Sequence, residues 1–319
     1  LSVVFKELGV PLPQFEEMML SETKTKHTFK PGLKTFRHTF RILKFVLFVL
    51  RYETFLKKEY QFLSEYYPKL EKSIEKGTVE KSYFELFDLL FQAGRKITFL
   101  NILTPVLMRI YNKQFQKKLK RCNLDYNAIN FNKDFPELEL LSPRASIEKL
   151  KKQTETLSLN NGGPIRSMAD LKARKESGPV LAEMKQFIRR FGHFSESGND
   201  FSYPKWKEDE AFIFQMITES SPISQPSALK SFSELNIPAG KRRSLNRSFQ
   251  KAGRFRVYRE QVSSLYIYGY GLFRQLFLKL GKHLTERSFI DQKEDIFYLY
   301  HNEINQLLKN GRPPNKLNF

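Results

Sequence analysis

VSSLYIYGYGLFRQLFLKL, residues 262–280, is the stretch on which the fold turns. Val262, Leu265, Gly269, Leu272, Leu276 and Leu280 are separated by steps of three or four, the spacing that lines one face of a helix over several turns. Gly269 and Gly271 each cost about 1 kcal/mol of helix propensity, so they ask for a reason: a close crossing, a bend, or the approach of a ligand. The pattern extends on both sides and predicts one long helix near 246–284.

The same spacing recurs through most of the chain. Phe36, Phe40, Leu43, Leu47 and Leu50 share a face, which Phe55, Tyr60, Leu63 and Tyr67 continue as far as Pro68. Gly77 and Thr78 read as a helix stop followed by a cap. Tyr83, Leu86, Leu89, Leu90 and Ala93 begin the next face, and Ile97 to Leu119 is long, with Pro105 as a kink or a start. Further helices are expected from Ser146 to about Leu157, from Leu181 to Arg190, from Lys207 to Ser220, and from Glu294 onward. No strand-like alternation persists, so the chain is expected to be all-α, an irregular multi-helix fold. Asn160 to Gly163, followed by Pro164, is the clearest punctuation. It divides the chain into helical subdomains 1–160 and 161–319, or marks a surface insertion within one domain. Upstream, Leu1 to Leu20 reads as an amphipathic start with a turn at Pro11 and Pro13, and Ser21 to Gly32 as a connection. An opening Leu in place of Met suggests a piece of a longer protein.

Composition narrows the class. The 319 residues, 40% hydrophobic and with 30 Phe, can bury a sizeable core and are not those of a disordered chain. A single cysteine, Cys122, leaves no intrachain disulfide and fits a reducing cytoplasm. His27, His38, His193, His283 and His301 are too scattered for a metal site. The most apolar run, Ile42 to Leu50, is interrupted by Lys44 and falls far short of the ~20 residues of a membrane span. A formal charge of +20 would suit nucleic acid, an anionic membrane or a phosphorylated small molecule. Lysine is spread along the whole chain, however, which favours a solvated surface; neither nucleic acid nor membrane is expected as a partner.

Two stretches carry candidate chemistry. In FGHFSESGNDFSYPKW, residues 191–206, small and hydrogen-bonding residues are bracketed by Phe191, Phe194, Phe201, Tyr203 and the only Trp, Trp206. Such a segment reads as a built loop facing a ligand, or as a well-capped connection between helices. His193, Ser195, Ser197, Asn199 and Asp200 are its candidate substrate contacts; a lone His in a loop is also a common structural hydrogen bonder. The second stretch, Lys241 to Arg259, has eight cations and no acid before Glu260. Arg254, Arg256 and Arg259 could form an anion-binding wall beside the loop, since guanidinium forks suit phosphate and carboxylate; the alternative is a solvated basic helix. The common phosphate-loop, nucleophile-elbow and zinc motifs are missing, so no catalytic residue is assigned and activity of this chain alone is not expected.

With these residues in view, the chain resembles the central region of the PEP-utilising phosphotransferases, the family of phosphoenolpyruvate synthase (pyruvate, water dikinase) and rifampin phosphotransferase. One carrying segment is Phe191 to Ile217, where Gly192, His193, Gly198, Asp200, Pro204 and Trp206 fit the family's pattern. The other is the arginine-rich run from Arg254 through Leu284, followed by KEDIFYL at Lys293 to Leu299. Position 194 departs, with Phe where many members have Arg. The resemblance implies an all-helical body between an ATP-grasp domain and a mobile phosphohistidine domain, present in cis or as separate chains. ATP and Mg2+ belong to those domains, and no cofactor is expected on this chain. It also implies a small-molecule acceptor, pyruvate in a phosphoenolpyruvate synthase-like enzyme. A rifampin-phosphotransferase-like member would instead offer a hydrophobic pocket. Outside the family, the remaining reading is a non-enzymatic basic helical module binding nucleic acid or a protein.

Overall fold

The computed structural model describes residues 39–77, 79–160, 163–198, 200–220 and 229–310. The expectations for Leu1 to Gly32, for His27, Phe36 and His38, for the cap at Thr78 and for Asn199 lie outside them. The fold is all-α: among the described residues there is no strand, only an isolated bridge between Ile129 and Lys230.

The chain divides into two compact units between Gln61 and Phe62. Helix α1, Thr39–Lys76, runs across this division. In the first unit, the Phe48 ring meets Tyr52 and Phe55 edge-on at 5.8 and 5.5 Å, one and two turns further along the helix.

The second unit is organised by two long helices, α2 at Val79–Lys120 and, much later, the 48-residue helix 239–286. Between them come α3 at Phe131–Asp134, α4 at Glu137–Leu140, α5 at Pro143–Asn160, α6 at Met168–Ala173, α7 at Gly178–Phe191 and α8 at Glu210–Glu219. The long helix, α9, is Ala239–Glu286, and α10, His301–Asn310, follows a 3-10 turn at Lys293–Tyr298. Helices α2 and α9 lie antiparallel, as contacts from Phe115–Phe249 through Tyr111–Phe255 to Tyr83–Phe277 demonstrate. The Val262-to-Leu280 stripe is buried as the spacing predicts. Gly269 answers the question its presence raised: a methyl there would come within 2.6 Å of the Tyr67 ring, so the glycine permits a close crossing with α1.

Two cores flank this axis. At one end Phe115, Phe131, Phe135, Phe232 and Phe249 interlock, with Phe232 stacked on Phe249 at 4.3 Å. The ring of Phe135 reaches the α9 backbone at Gly253, where any Cβ would fall 2.0 Å from it. The second core joins α5, α6, α7 and α8 through Leu150, Leu171, Met184, Phe187, Phe191 and Ile213. Helices before and after residue 160, α5 with α6, α7 and α8, thus share one interior.

Two boundary expectations also change. Neither Pro68 nor Pro105 breaks its helix; both lie inside, with α1 continuing to Lys76 and α2 running unbroken through Ile97. An interior proline costs about 3 kcal/mol, which the buried residues on either side, Tyr67 and Leu70 or Leu100 and Leu107, are able to offset. The end of α1 is held from a distance. The ammonium of Lys279 on α9 donates to the carbonyls of Ile74, Glu75 and Gly77 at 2.6 to 2.8 Å, groups the helix leaves without partners.

Candidate functional site

The 191–206 loop is built from its own residues. Helix α7 ends at Gly192, where a Cβ would sit 2.3 Å from the Ile188 carbonyl and 2.9 Å from Lys207 Cβ, so only glycine fits. Backbone bonds then close the loop on itself: Trp206 N–H donates to the Phe194 carbonyl at 2.8 Å, and Lys207 N–H to that of Gly192 at 3.0 Å. Gly198 takes φ 68°, the left-handed region that glycine enters at little cost. Asp200 accepts from the Ser202 N–H and hydroxyl at 2.8 and 2.7 Å, which holds its carboxyl below the usual range. The Ser197 hydroxyl donates to the Asp200 carbonyl at 3.2 Å and lies 3.5 Å from that of Ser195, which is buried. Trp206 stacks on Phe187 and Phe194, tying the loop to the second core.

The loop is fastened to α9 at two points. His193 Nε2 meets Ser264 Oγ at 3.0 Å, with its ring between Phe194 and Tyr268. Burial lowers its pKa to about 4, and the neighbouring charges of Lys207 and Lys205 push the same way against the Ser264 contact. His193 is therefore a neutral imidazole near pH 7. The stronger point is Arg274, 4% exposed. Its Nε and Nη2 form a fork on Glu208 at 2.8 to 3.1 Å, while Nη1 donates to the Phe201 and Ser202 carbonyls. Lys205 lies buried next to Arg274 with its ammonium unpartnered, and desolvation lowers its pKa. Close by, Glu71 accepts from Tyr268 and Gln275 and pairs with Lys207. Burial would raise the Glu71 carboxyl, but these donors outweigh it and hold it down.

The three candidate arginines do different things. Arg256 donates to the Tyr126 hydroxyl and stacks 4.1 Å above the Phe131 ring, serving the first core. Arg259 pairs with its neighbour Glu260, and Arg254 is exposed. The loop reaches α9 at Ser264 and Arg274, about 7 Å or more further along the helix axis than these arginines. His193, Ser195, Ser197 and Asp200 are therefore gathered in one loop, whereas the arginine wall is not shown beside it.

What the loop does border is a cavity of about 640 Å³. Helix α2 contributes Phe87, Phe91, Gly94, Arg95, Thr98, Phe99 and Ile102; α9 contributes Tyr270, Phe273 and Phe277. Phe201 from the loop, Ile296, Phe297 and Leu299 from the 3-10 turn and its end, and His301 and Ile304 from α10 complete it. The rings around it meet at edge-on and tilted angles, as in Phe87 with Phe273 and Phe201 with Phe277. The polar side chains on its wall are few: Arg95, Thr98, Tyr270 and His301, whose imidazole lies 4.9 Å from the Phe87 ring.

Sequence reasoning missed the α2 side. A signal was present: the core stripe Tyr83, Leu86, Leu90, Ala93, Ile97 and Leu100 is accompanied by a second apolar series, Phe87, Phe91, Phe99 and Ile102. A helix with two apolar faces needs a second neighbour or a ligand. Among the described residues, no three His, Cys, Asp or Glu gather to hold a metal, and no helix is long and apolar enough to cross a membrane. Set beside known proteins, the chain matches no family model and no curated protein.

Proposed function

We propose that this chain is an acceptor-binding helical body of the PEP-utilising phosphotransferase type, and that its acceptor is a bulky, largely aromatic molecule held in the groove. The observation that carries this reading is a convergence. Phe201 comes from the first segment of the resemblance; Tyr270, Phe273, Phe277, Ile296, Phe297 and Leu299 come from the second, and all line one cavity. Its volume of 640 Å³ falls within the ~300–1,000 Å³ of small-molecule sites, and its walls are apolar with few polar groups, as such sites are. Pyruvate, a three-carbon anion, would leave most of this space empty and find mainly rings around it. The rifampin-phosphotransferase-like reading is therefore preferred over a pyruvate acceptor.

In this reading ATP, Mg2+ and the phosphohistidine are supplied by other domains. The residues of this chain hold and orient an acceptor hydroxyl and keep water from it, and such positioning is a large part of catalysis of phosphoryl transfer. The loop, clamped by Arg274, fixes Phe201 as one wall.

Titration calorimetry on the full chain tests this with rifampin, 1-naphthol and pyruvate, using Gly94→Leu as a blocking variant. A Cβ at Gly94 meets Phe273 at an unstrained 3.8 Å, and Gly94 lines the groove, which the rest of the leucine would narrow. An aromatic ligand should bind in the ~10–100 µM range, pyruvate should not, and the variant should weaken binding at least about tenfold. Pyruvate binding without aromatic binding, or an unchanged affinity in the variant, overturns the proposal.

A further inference from the structure

The end of the α2–α9 pair away from the groove has an unusual charge pattern. The chain contains no acidic residue from Leu89 to Leu124, and none from Leu235 to Arg259. Antiparallel packing lays the cationic parts of these two stretches side by side. Lys118 Nζ closes the seam by donating to the hydroxyls of Ser244 and Ser248 at 3.2 and 2.6 Å, and Lys241 Nζ donates to the Arg121 carbonyl at 3.1 Å. At 100° per residue, Lys113 and Lys117 on α2 and Arg243 and Arg247 on α9 lie on the same side of the pair, 100–140° round from the seam residues Lys118 and Ser248, and Arg121 follows in the turn after α2. Lys118 apart, these five cations are exposed, and their side chains have no carboxylate or hydrogen-bond partner among the described residues. The even spread of lysine in sequence reads as a solvated surface; the fold gathers these cations into one strip about 12 Å long.

We propose that this strip binds the phosphodiester backbone of a nucleic-acid duplex, without reading its sequence. The inference is independent of the acceptor reading, since it uses none of the groove residues. Three observations select the partner. Five unneutralised cations on two rigid helices and the turn after α2 match a regular polyanion, which repays their mutual repulsion by releasing its counterions. A protein interface would want an apolar centre, yet Ile110 is the one large hydrophobic residue exposed within 109–121 and 239–259. A single strand would want free rings to stack on. Here Tyr111 and Phe255 are packed together at 4.7 Å, with the Lys251 ammonium 5.1 and 5.3 Å from their centroids.

The experiment is fluorescence anisotropy of the full chain with a labelled duplex of about 20 base pairs, from ~50 to ~200 mM KCl, with polyaspartate as competitor. The site variant reverses Lys113, Lys117, Arg243 and Arg247 to Glu. A control of equal charge reverses the exposed Arg166, Lys175, Lys185 and Arg189. Circular dichroism melting confirms that both variants fold. Native protein should show a log–log salt slope of about −3 to −5; the site variant should lose about 30-fold or more and the control less than about threefold. Equal losses in the two variants, no binding at the lowest salt, or polyaspartate competing as strongly as unlabelled duplex would each overturn the proposal.

Discussion

The two ends of the α2–α9 pair use the same residue for opposite purposes. At one end phenylalanines close the interior: Phe115, Phe131, Phe135, Phe232 and Phe249 interlock, and Phe135 presses onto bare backbone at Gly253. At the other, Phe87, Phe273, Phe277, Phe201 and Phe297 stand around a 640 Å³ groove. The difference lies in what backs the rings. The closed end is backed by short segments, α3 and 232–237, that follow the rings into the gap. The groove end is backed by a loop whose position is set by polar fasteners, Arg274 on Glu208 and His193 on Ser264. Packing alone makes a core, whereas polar fasteners can hold a wall at a distance and leave space in front of it.

The contrast can be broken most severely from the closed end. Phe249→Ala removes a ring in contact with four others and 1% exposed, so chemical denaturation should show a loss of about 3–5 kcal/mol. Next comes Arg274→Met, which strands Glu208 and two carbonyls. About 3 kcal/mol is expected, the low end for a broken buried pair because Glu208 is a third exposed. Trp206, the only tryptophan, should then report a loosened loop as a red-shifted emission, while the closed end keeps its protection from hydrogen exchange.

Acid should also separate the ends. His193 has a folded pKa of about 4 against an unfolded value near 6.5, so between these values the unfolded chain binds the extra proton. Stability is therefore full above about pH 6.5 and falls as pH drops toward 4, by at most about 2–3 kcal/mol from this residue. Unfolding at about pH 7 and pH 5 should show the slope in the native protein and a flatter one in His193→Gln; equal slopes would remove His193 from the account. The smallest and sharpest comparison is a pair of alanines on the two long helices. Gly253→Ala drives a methyl into the Phe135 ring and should cost about 1–3 kcal/mol. Gly94→Ala places its methyl in ordinary contact with Phe273 at 3.8 Å and should gain up to about 1 kcal/mol from helix propensity.

Much of the fold was legible because it rests on local periodicity. The Val262-to-Leu280 stripe, the stop at Gly77 and the helix leading into Phe191 are each written within a few turns of chain. The loop was legible as a loop, since Gly192, Gly198 and the Asp200–Ser202 bonds are local too. The groove was not, because it belongs to no single stretch. Phe87 and Phe297 are 210 positions apart in sequence and meet only through the antiparallel pairing of α2 with α9. The anchoring role of Arg274 was hidden for the same reason: within its own helix it reads as one more cation, and Glu208 lies 66 residues away. The prolines misled in the opposite direction, as a local signal overruled by burial along a long helix.

Lys279 illustrates a different dependence between segments. Its one ammonium satisfies three carbonyls at the end of α1, so the length of that helix is written partly in another helix, about 200 positions downstream. Acetylation of this side chain would add an acetyl group and remove its charge and two of its three N–H protons. The last turn of α1 would then lose its terminator, and a single modification would act as an edit to the length of a helix elsewhere in the chain.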